Sequence, residues 1–431
     1  MHKILIIGYV WPEPRSSAAG SRMIELLELF RKQGWSVNFA SAAALSEHRA
    51  DLSSLQIPEL QIALNCDSFD ALVSELQPDM VLFDRYFTEE QFAWRVERAW
   101  PQALRVLDTS DLHCLRDARQ HLLKTAQQAC DSEAERHQVP AVTADIDTLY
   151  QVMASHDMAQ REIAAIYRSD LTLMISDFEV QLLQQRFGVP PALLMHNPLM
   201  LIPPVVEPLP FEQRQHFISI GNFRHAPNWD SVLWLKNVLW PLVRQRLPNA
   251  QLHVYGAYPP PKATALHNPK QGFMVLGWAD DAHEVMTRAR VCLAPLRFGA
   301  GIKGKLADAM ACGTPNVTTA IGSEGMHGEL AWGGAIVADA EAFAEAFAEA
   351  AVALHEDPTL WHEAQDNGRA ILEQRFAREP LGDELIARLQ QLFEQREQHR
   401  VDNFIGRMLR HHTLKSTQYM SQWIAAKTAA K

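Results

Sequence analysis

The sequence predicts an α/β protein of two parallel-sheet domains of similar size, joined by a proline-rich hinge. Three observations carry this. Short β-rich apolar runs alternate with segments of helical period, the pattern of a parallel sheet with helices on its faces. The alternation stops in HNPLMLIPPVVEPLP (196–210), which holds five prolines, and then restarts. With 431 residues and 47% apolar content, the chain can build two or three packed domains. Two such sheets leave a cleft between the carboxyl ends of their strands, a usual place for ligands.

The elements follow in order. Lys3 to Ile7 is a continuous β-rich run ended by Gly8. MIELLELFRKQG has helical spacing at Met23, Leu27 and Phe30, with Gly34 as its stop, and Ser36 to Ala40 is the next strand. DMVLFD (79–84), LRVLD (104–108) and LTLMIS (171–176) continue the sheet. Between the last two, residues 115–168 are mostly helical, with a polar insertion near Asp131–Pro140. Ser176 and Glu179 have the S-x-x-E spacing of a capping box, opening a helix that ends near Gly188.

Beyond the hinge, HFISIG, AQLHVYG, FMVLGW and VCLAPL read as strands. NWDSVLWLKNVLWPLVRQRLP and AHEVMTRAR read as helices. The expected domains are 1–200 and 201–375, with 376–431 a return helix and basic tail. From Val401 onward, Arg407, Arg410, Lys415, Lys427 and Lys431 stand against one acid, Asp402. Phe404, Met408, Met420, Trp423 and Ile424 give this tail the pattern of an interfacial basic helix, with folding back onto the first domain as the competing outcome.

Composition excludes several classes. A net charge of −11 argues against a nucleic-acid binder working through bulk positive charge. Five cysteines without CxxC spacing show no zinc site or disulfide framework, and suit free thiols in a reducing cytoplasm. The apolar start lacks a small-residue cleavage site and reads as a buried strand, not a signal peptide. No apolar run is long enough to span a bilayer.

The stretch GAGIKGKL (299–306) has the glycine and lysine spacing of a P-loop, but Leu306 stands where the metal-binding hydroxyl belongs. It leads from the strand VCLAPL into a helix that stops at Gly313 and Pro315. Unpaired N–H groups and the helix dipole favour an anion at such a turn. Glycines 299, 301 and 304 allow close backbone approach, and Lys303 and Lys305 add charge. Gly301, Lys305, Asp308 and Cys312 fall on one helical stripe, while Ile302, Leu306 and Met310 fall on the packed face. From 301 to 308 is about 10 Å at helical rise, the reach from a diphosphate to a ribose diol that Asp308 can accept from. A structural strand-turn-helix with solvated lysines is the competing reading of the stretch taken alone.

APLRFGAGIKGKLADAMACGTPNVTTAIGSEG (294–325) resembles the donor-binding segment of GT-B glycosyltransferases, specifically the retaining family-4-like group (glycosyl transferases group 1). FISIGNFRHAPNWDSVLWL (217–235) resembles the first strand, loop and helix of the same domain. VLDTSDLHCLRD (106–117) resembles a first-domain segment of one bacterial subgroup. The resemblance reaches to about residue 380. It implies a GT-B fold, two Rossmann-like domains with parallel sheets facing across a cleft.

It also implies transfer of a sugar from a nucleotide-diphosphate donor to a cell-envelope glycan, lipid-linked or protein acceptor. No cofactor and no metal are implied, since the nucleotide sugar is a substrate. Asp308 matches the family's ribose-holding acid, whereas the acid eight positions earlier is replaced by Ala300. Arg224 matches the basic residue that meets the diphosphate, and Gly20 fits the glycine loop facing the cleft. The donor-binding set is then Gly20, Arg224, Gly301, Ile302, Lys303, Lys305 and Asp308. His113 and Asp111, just past a strand, are the catalytic candidates. The D-x-D at 145–147, a metal mark in other glycosyltransferases, lies in a polar helical segment and reads as a solvated face. A nucleotide-sugar epimerase of this fold and a non-catalytic partner protein remain alternatives. The location implied is cytoplasmic, with peripheral contact at the inner membrane through 401–431.

Overall fold

The computed structural model describes residues 2–202, 208–338 and 342–429. Residues 203–207 of the expected hinge and Lys431 of the basic tail lie outside them.

The first sheet has seven strands: β1 (Lys3–Gly8), β2 (Ser36–Ser41), β3 (Glu59–Gln61), β4 (Met80–Asp84), β5 (Leu104–Asp108), β6 (Leu171–Met174) and β7 (Leu194–His196). Their order is β3-β2-β1-β4-β5-β6-β7, with parallel pairings. Alternate residues of the central strands enter two different cores. Leu5, Ile7, Val81, Phe83 and Leu107 join one, and Ile4, Ile6, Leu82 and Val106 the other. Helices cover both faces, so these strands bury apolar residues on both sides rather than alternating with solvent-facing polar ones.

The second sheet has six strands: β8 (Gln215–Ile220), β9 (Leu252–Tyr255), β10 (Phe273–Gly277), β11 (Ala289–Ala294), β12 (Asn316–Thr319) and β13 (Gly334–Val337). The order is β10-β9-β8-β11-β12-β13, again with parallel pairings. The segment expected to be one helix after β8 is helical without a break from Ala226 to Arg246, with a π-helical turn at Leu235–Leu239 inside it. Pro241 is the local cause of that turn, because it lacks the N–H for a regular bond one turn back.

The chain then returns. Helix Arg378–Asp402 buries Leu385, Ile386, Leu389 and Leu392 in the first domain's core with Leu26, Phe30 and Trp35. Arg400 fastens it to buried Asp170 at 2.7 and 2.8 Å. The last helix, Phe404–Ala429, lies on helices Tyr86–Ala99 and Asp157–Arg168. Arg410 donates to the Arg168 carbonyl, Arg95 donates to buried Ser421, and Leu409 packs on the first domain's core. Phe404, Met408, Tyr419 and Trp423 face solvent.

Candidate active site

The strand β11 ends at Ala294 and the next helix begins at Gly304, so residues 295–303 form a loop over the sheet's carboxyl end. Arg297 anchors it through Asp230, at 2.6 and 2.9 Å, and reaches the first domain at the Val139 carbonyl, 2.9 Å. Gly301 takes a left-handed φ of 63°. Ile302, Leu306 and Met310 are buried together with Ile175 and Trp332, as the apolar spacing predicts. Because the helix starts at 304, Gly301 is not on the helical stripe. That stripe begins at Lys305, and the expected rise of about 10 Å from 301 does not apply.

Lys303 is buried, and its Nζ donates to the Gly301 carbonyl at 2.7 Å. Lys305 is half-buried, and its Nζ donates to Asn228 Oδ1 at 2.8 Å. Among the described residues neither ammonium forms an ion pair, which would need a carboxylate oxygen within 4.0 Å. Burial holds both below the ordinary lysine range, Lys305 at about 8. Glu324 and Glu179 lie near Lys303 without pairing with it, while Lys305 faces no carboxylate among the described residues, and two unpaired ammonium groups at one helix start suit an anionic ligand.

Asp308, one turn beyond Lys305, is partly exposed, and its nearest cation is His283 at 3.6 Å. That neighbour raises the His283 pKa. Arg224 lies over the Tyr258 ring, 3.6 Å from its centre, and the Tyr258 hydroxyl donates to Glu13 of the first domain at 2.9 Å. A cavity of about 260 Å³ opens here, lined by Glu13, Gly20, Arg85, Asn222, Arg224 and Tyr258 among others. Gly20 packs against the Glu13 backbone so closely that a side chain would collide with it. The cavity adjoins the lysine turn: Gly304 packs on Ala18, and a side chain at Gly221 would sit 2.8 Å from Lys305 Nζ.

The turn after β5 carries His113 and Asp111. His113 Nε2 is 3.2 Å from Asp111 Oδ1, and Asp111 also pairs with Arg116. His113 therefore has a partner that the sequence did not reveal. Burial pushes its pKa down, leaving the imidazole neutral at pH 7. The Glu162 carboxylate accepts from the His113 and Cys114 N–H groups, at 3.0 and 2.8 Å, and fixes this helix start. Gly301 meets this turn directly: a side chain there would sit 2.8 Å from Asp111 Cβ. The structure thus brings the catalytic candidates against the glycine turn, while Asp308 lies further down its helix beside His283.

The expected capping box at Ser176 does not form. Glu179 turns away from Ser176, and its Oε1 accepts from Leu112 N–H at 3.2 Å and Gly301 N–H at 2.7 Å. Arg119 crosses the same boundary, paired with Glu324 at 2.7 and 2.9 Å and donating to the Gly299 carbonyl. Asp145 of the D-x-D caps helix Ile146–Ala154, and Asp147 pairs with Arg186, so both serve local structure. Among the described residues no group of three or more His, Cys, Asp or Glu side chains could hold a metal ion.

Residues 214–357 match the family model described as Glycosyl transferases group 1. That segment contains Arg224, Asn228, Lys303, Lys305 and Asp308. The second domain is a group 1 glycosyltransferase domain. No curated protein sequence matches the chain significantly.

The likeness to solved glycosyltransferase structures extends further than the family match. Anabaena Alr3699/HepE in complex with UDP-glucose aligns over 91% of this chain and 100% of its own, at 14% identity and a TM-score of 0.61. A sucrose-phosphate synthase from Thermosynechococcus elongatus aligns over 91% and 100%, at 15% identity and a TM-score of 0.59. WaaG, a glycosyltransferase involved in lipopolysaccharide biosynthesis, aligns over 89% and 98%, at 14% identity and a TM-score of 0.57. These likenesses give the chain its GT-B fold, with both Rossmann-like domains present.

Sequence reasoning missed Asn228, His283, Glu162 and the cleft role of Glu179. Asn228 stands inside the quoted GNFRHAPN segment, so a question about what partners Lys305 could have found it. His283 and Glu162 gave no local signal and Glu179 gave only that of a capping box, since their partners lie 25, 49 and 122 residues away in the chain.

Proposed function

We propose that the protein moves a sugar from a nucleoside-diphosphate donor to a cell-envelope glycan, lipid-linked or protein acceptor, with retained anomeric configuration and without an essential metal. One observation carries this reading. Lys303 and Lys305 stand two residues apart at one helix start, and each ammonium, withdrawn from water, is hydrogen-bonded to a neutral oxygen. A diphosphate is the anion whose size and charge suit that turn, with Arg224 across the adjoining cavity.

As the sugar leaves, negative charge grows on the diphosphate. Lys303, Lys305, Arg224 and the first N–H groups of helix Gly304–Ala311 stabilise it, and the sugar passes through an oxocarbenium-like state. Asp308 holds the ribose. His113, held by Asp111, faces the sugar from the first domain, where the acceptor binds. Gly20 and the Gly301–Ile302 backbone give the donor close approach. These cations supply the field that a metal supplies elsewhere, and no cofactor takes part. The UDP-glucose held by HepE and the lipopolysaccharide role of WaaG support the donor and acceptor classes.

The enzyme works in the cytoplasm, in peripheral contact with the membrane. Support comes from the last helix, which shows Phe404, Met408, Tyr419 and Trp423 to solvent beside Arg407, Lys415 and Lys427. Among the described residues no helix is long and apolar enough to cross a membrane.

Calorimetry of the full chain with UDP, GDP and ADP, with and without EDTA, tests the donor site. Donor consumption with and without a cell-envelope lipid extract then tests transfer. Binding of one diphosphate unaffected by EDTA, and consumption that needs the extract, are expected. Binding that requires Mg²⁺, or consumption that needs no acceptor, rejects the reading.

A further inference from the structure

We propose that Glu179 is a positioning residue: its carboxyl fastens the Gly301 turn of the second domain to the Leu112 turn of the first, and so aims Lys303 into the closed cleft. Glu179 is fully buried, and a single oxygen, Oε1, receives both backbone N–H groups. The Gly301 carbonyl in turn accepts from Lys303 Nζ, so one peptide group joins carboxyl to ammonium. Glycine is needed at the joint. Its φ is 63°, and any side chain would meet Asp111 Cβ at 2.8 Å and Ile175 Cδ1 at 2.9 Å.

The other oxygen shows which state of the carboxyl fits. Oε2 is buried and has no hydrogen-bond partner. An anion with one bare buried oxygen is costly. A neutral carboxyl removes that buried charge at the smaller cost of one unpaired O–H on Oε2, and Oε1 still accepts twice.

The charges around the group agree. From the second domain Lys303 and Glu324 face it, with Arg119 bound to Glu324. From the first domain His113 and Arg116 lie near, and Glu162 is engaged by two N–H groups. Burial pushes Glu179 upward against the pull of Gly301 N–H, Leu112 N–H and Lys303.

The domains therefore close with proton uptake. When the cleft opens and the second domain's cover is lost, the carboxyl moves back toward the ordinary carboxylate range. A value raised in the closed state means that closure is fully favoured below the open-state value. Closure weakens as pH rises, by up to about tenfold per unit, until the closed-state value is passed. The role in transfer rests on the donor reading above, whereas the latch itself does not.

The test is hydrogen exchange at the Gly301 amide in the full chain without ligand, at about pH 5 and about pH 8, corrected for intrinsic rates. In the wild type, protection should fall at least about tenfold between the two. Glu179→Gln copies the neutral acid and should stay protected at both. Glu179→Ala should be unprotected at both. The proposal is overturned if the alanine variant protects Gly301 like the wild type, or if the glutamine variant keeps the wild-type pH dependence. Should the alanine variant not fold, the wild-type and glutamine comparison decides alone. UDP is then added as the probe. Weaker binding in the alanine variant alone supports the aiming of Lys303, and equal binding in all three overturns it. If UDP binds none of the three while exchange behaves as expected, the latch stands and the donor reading falls.

Discussion

Lys305 Nζ donates to Asn228 Oδ1 at 2.8 Å, tying the helix after the glycine turn to the helix after β8. An amide oxygen orients the ammonium without neutralising it, so its charge stays available to a ligand. Lys305→Ala should weaken UDP binding by about 1–3 kcal/mol and leave uridine binding nearly unchanged. Burial holds the lysine at about 8, so the ammonium is present below that pH and is lost above it. Affinity for UDP should therefore fall as pH rises through about 8, by up to about tenfold per unit, and the fall should be shallower in Lys305→Ala, where Lys303 still titrates. Calorimetry across that range measures both effects.

Asp308 has spare acceptor capacity, because its nearest cation is His283 at 3.6 Å, beyond a good hydrogen bond. Asp308→Ala should cost about 1–3 kcal/mol of UDP affinity and leave inorganic pyrophosphate binding unchanged. Equal losses for both ligands would show that Asp308 shapes the turn rather than holding the ribose.

His113 stands on the first domain, 3.2 Å from Asp111, and makes no contact with Lys303 or Lys305 among its hydrogen bonds and ion pairs. His113→Ala should lower the transfer rate at least about tenfold while UDP affinity changes less than about twofold. An unchanged transfer rate would leave His113 a structural residue. Asp111→Ala should affect both steps, since Asp111 Cβ also packs on Gly301.

The last helix shows Phe404, Tyr419 and Trp423 at 69%, 62% and 59% exposure while burying Ser421. Its amphipathicity is turned outward, on a chain of net charge −11 whose tail is basic. Full-length protein should float with anionic vesicles, and replacing Phe404 and Trp423 with Ser should abolish flotation without lowering the melting temperature. Equal recovery of both proteins with neutral and anionic vesicles would remove the membrane from the reading.

Much of the fold is legible in the sequence because both sheets are covered on both faces. That makes β1, β4, β5 and β11 largely apolar runs, broken only by Arg105 in β5 and Arg290 in β11, which read as strands without any knowledge of their neighbours. The edge strands β3, β7 and β13 and the inner strand β12 have only three or four residues each. A run that short carries too few positions to show a period, and its pairing partners lie far away in the chain. The phosphate-type turn was legible for a local reason, since glycines and lysines beside a helix start act through their own backbone.

The sequence by itself determined the two α/β halves, the break between them and the glycine-lysine turn, because these depend on neighbours a few residues apart. Only the tertiary structure decided what Glu179 does. Its spacing from Ser176 specifies a capping box, worth about 1 kcal/mol, but the fold offers its carboxyl two N–H groups that would otherwise be buried unpaired. The same holds for Lys305 with Asn228, His113 with Glu162, and Arg119 with Glu324, pairs separated by 77, 49 and 205 residues. Closing two domains places such groups in contact and removes water from them, and that desolvation, which no local pattern records, sets their partners and their charge.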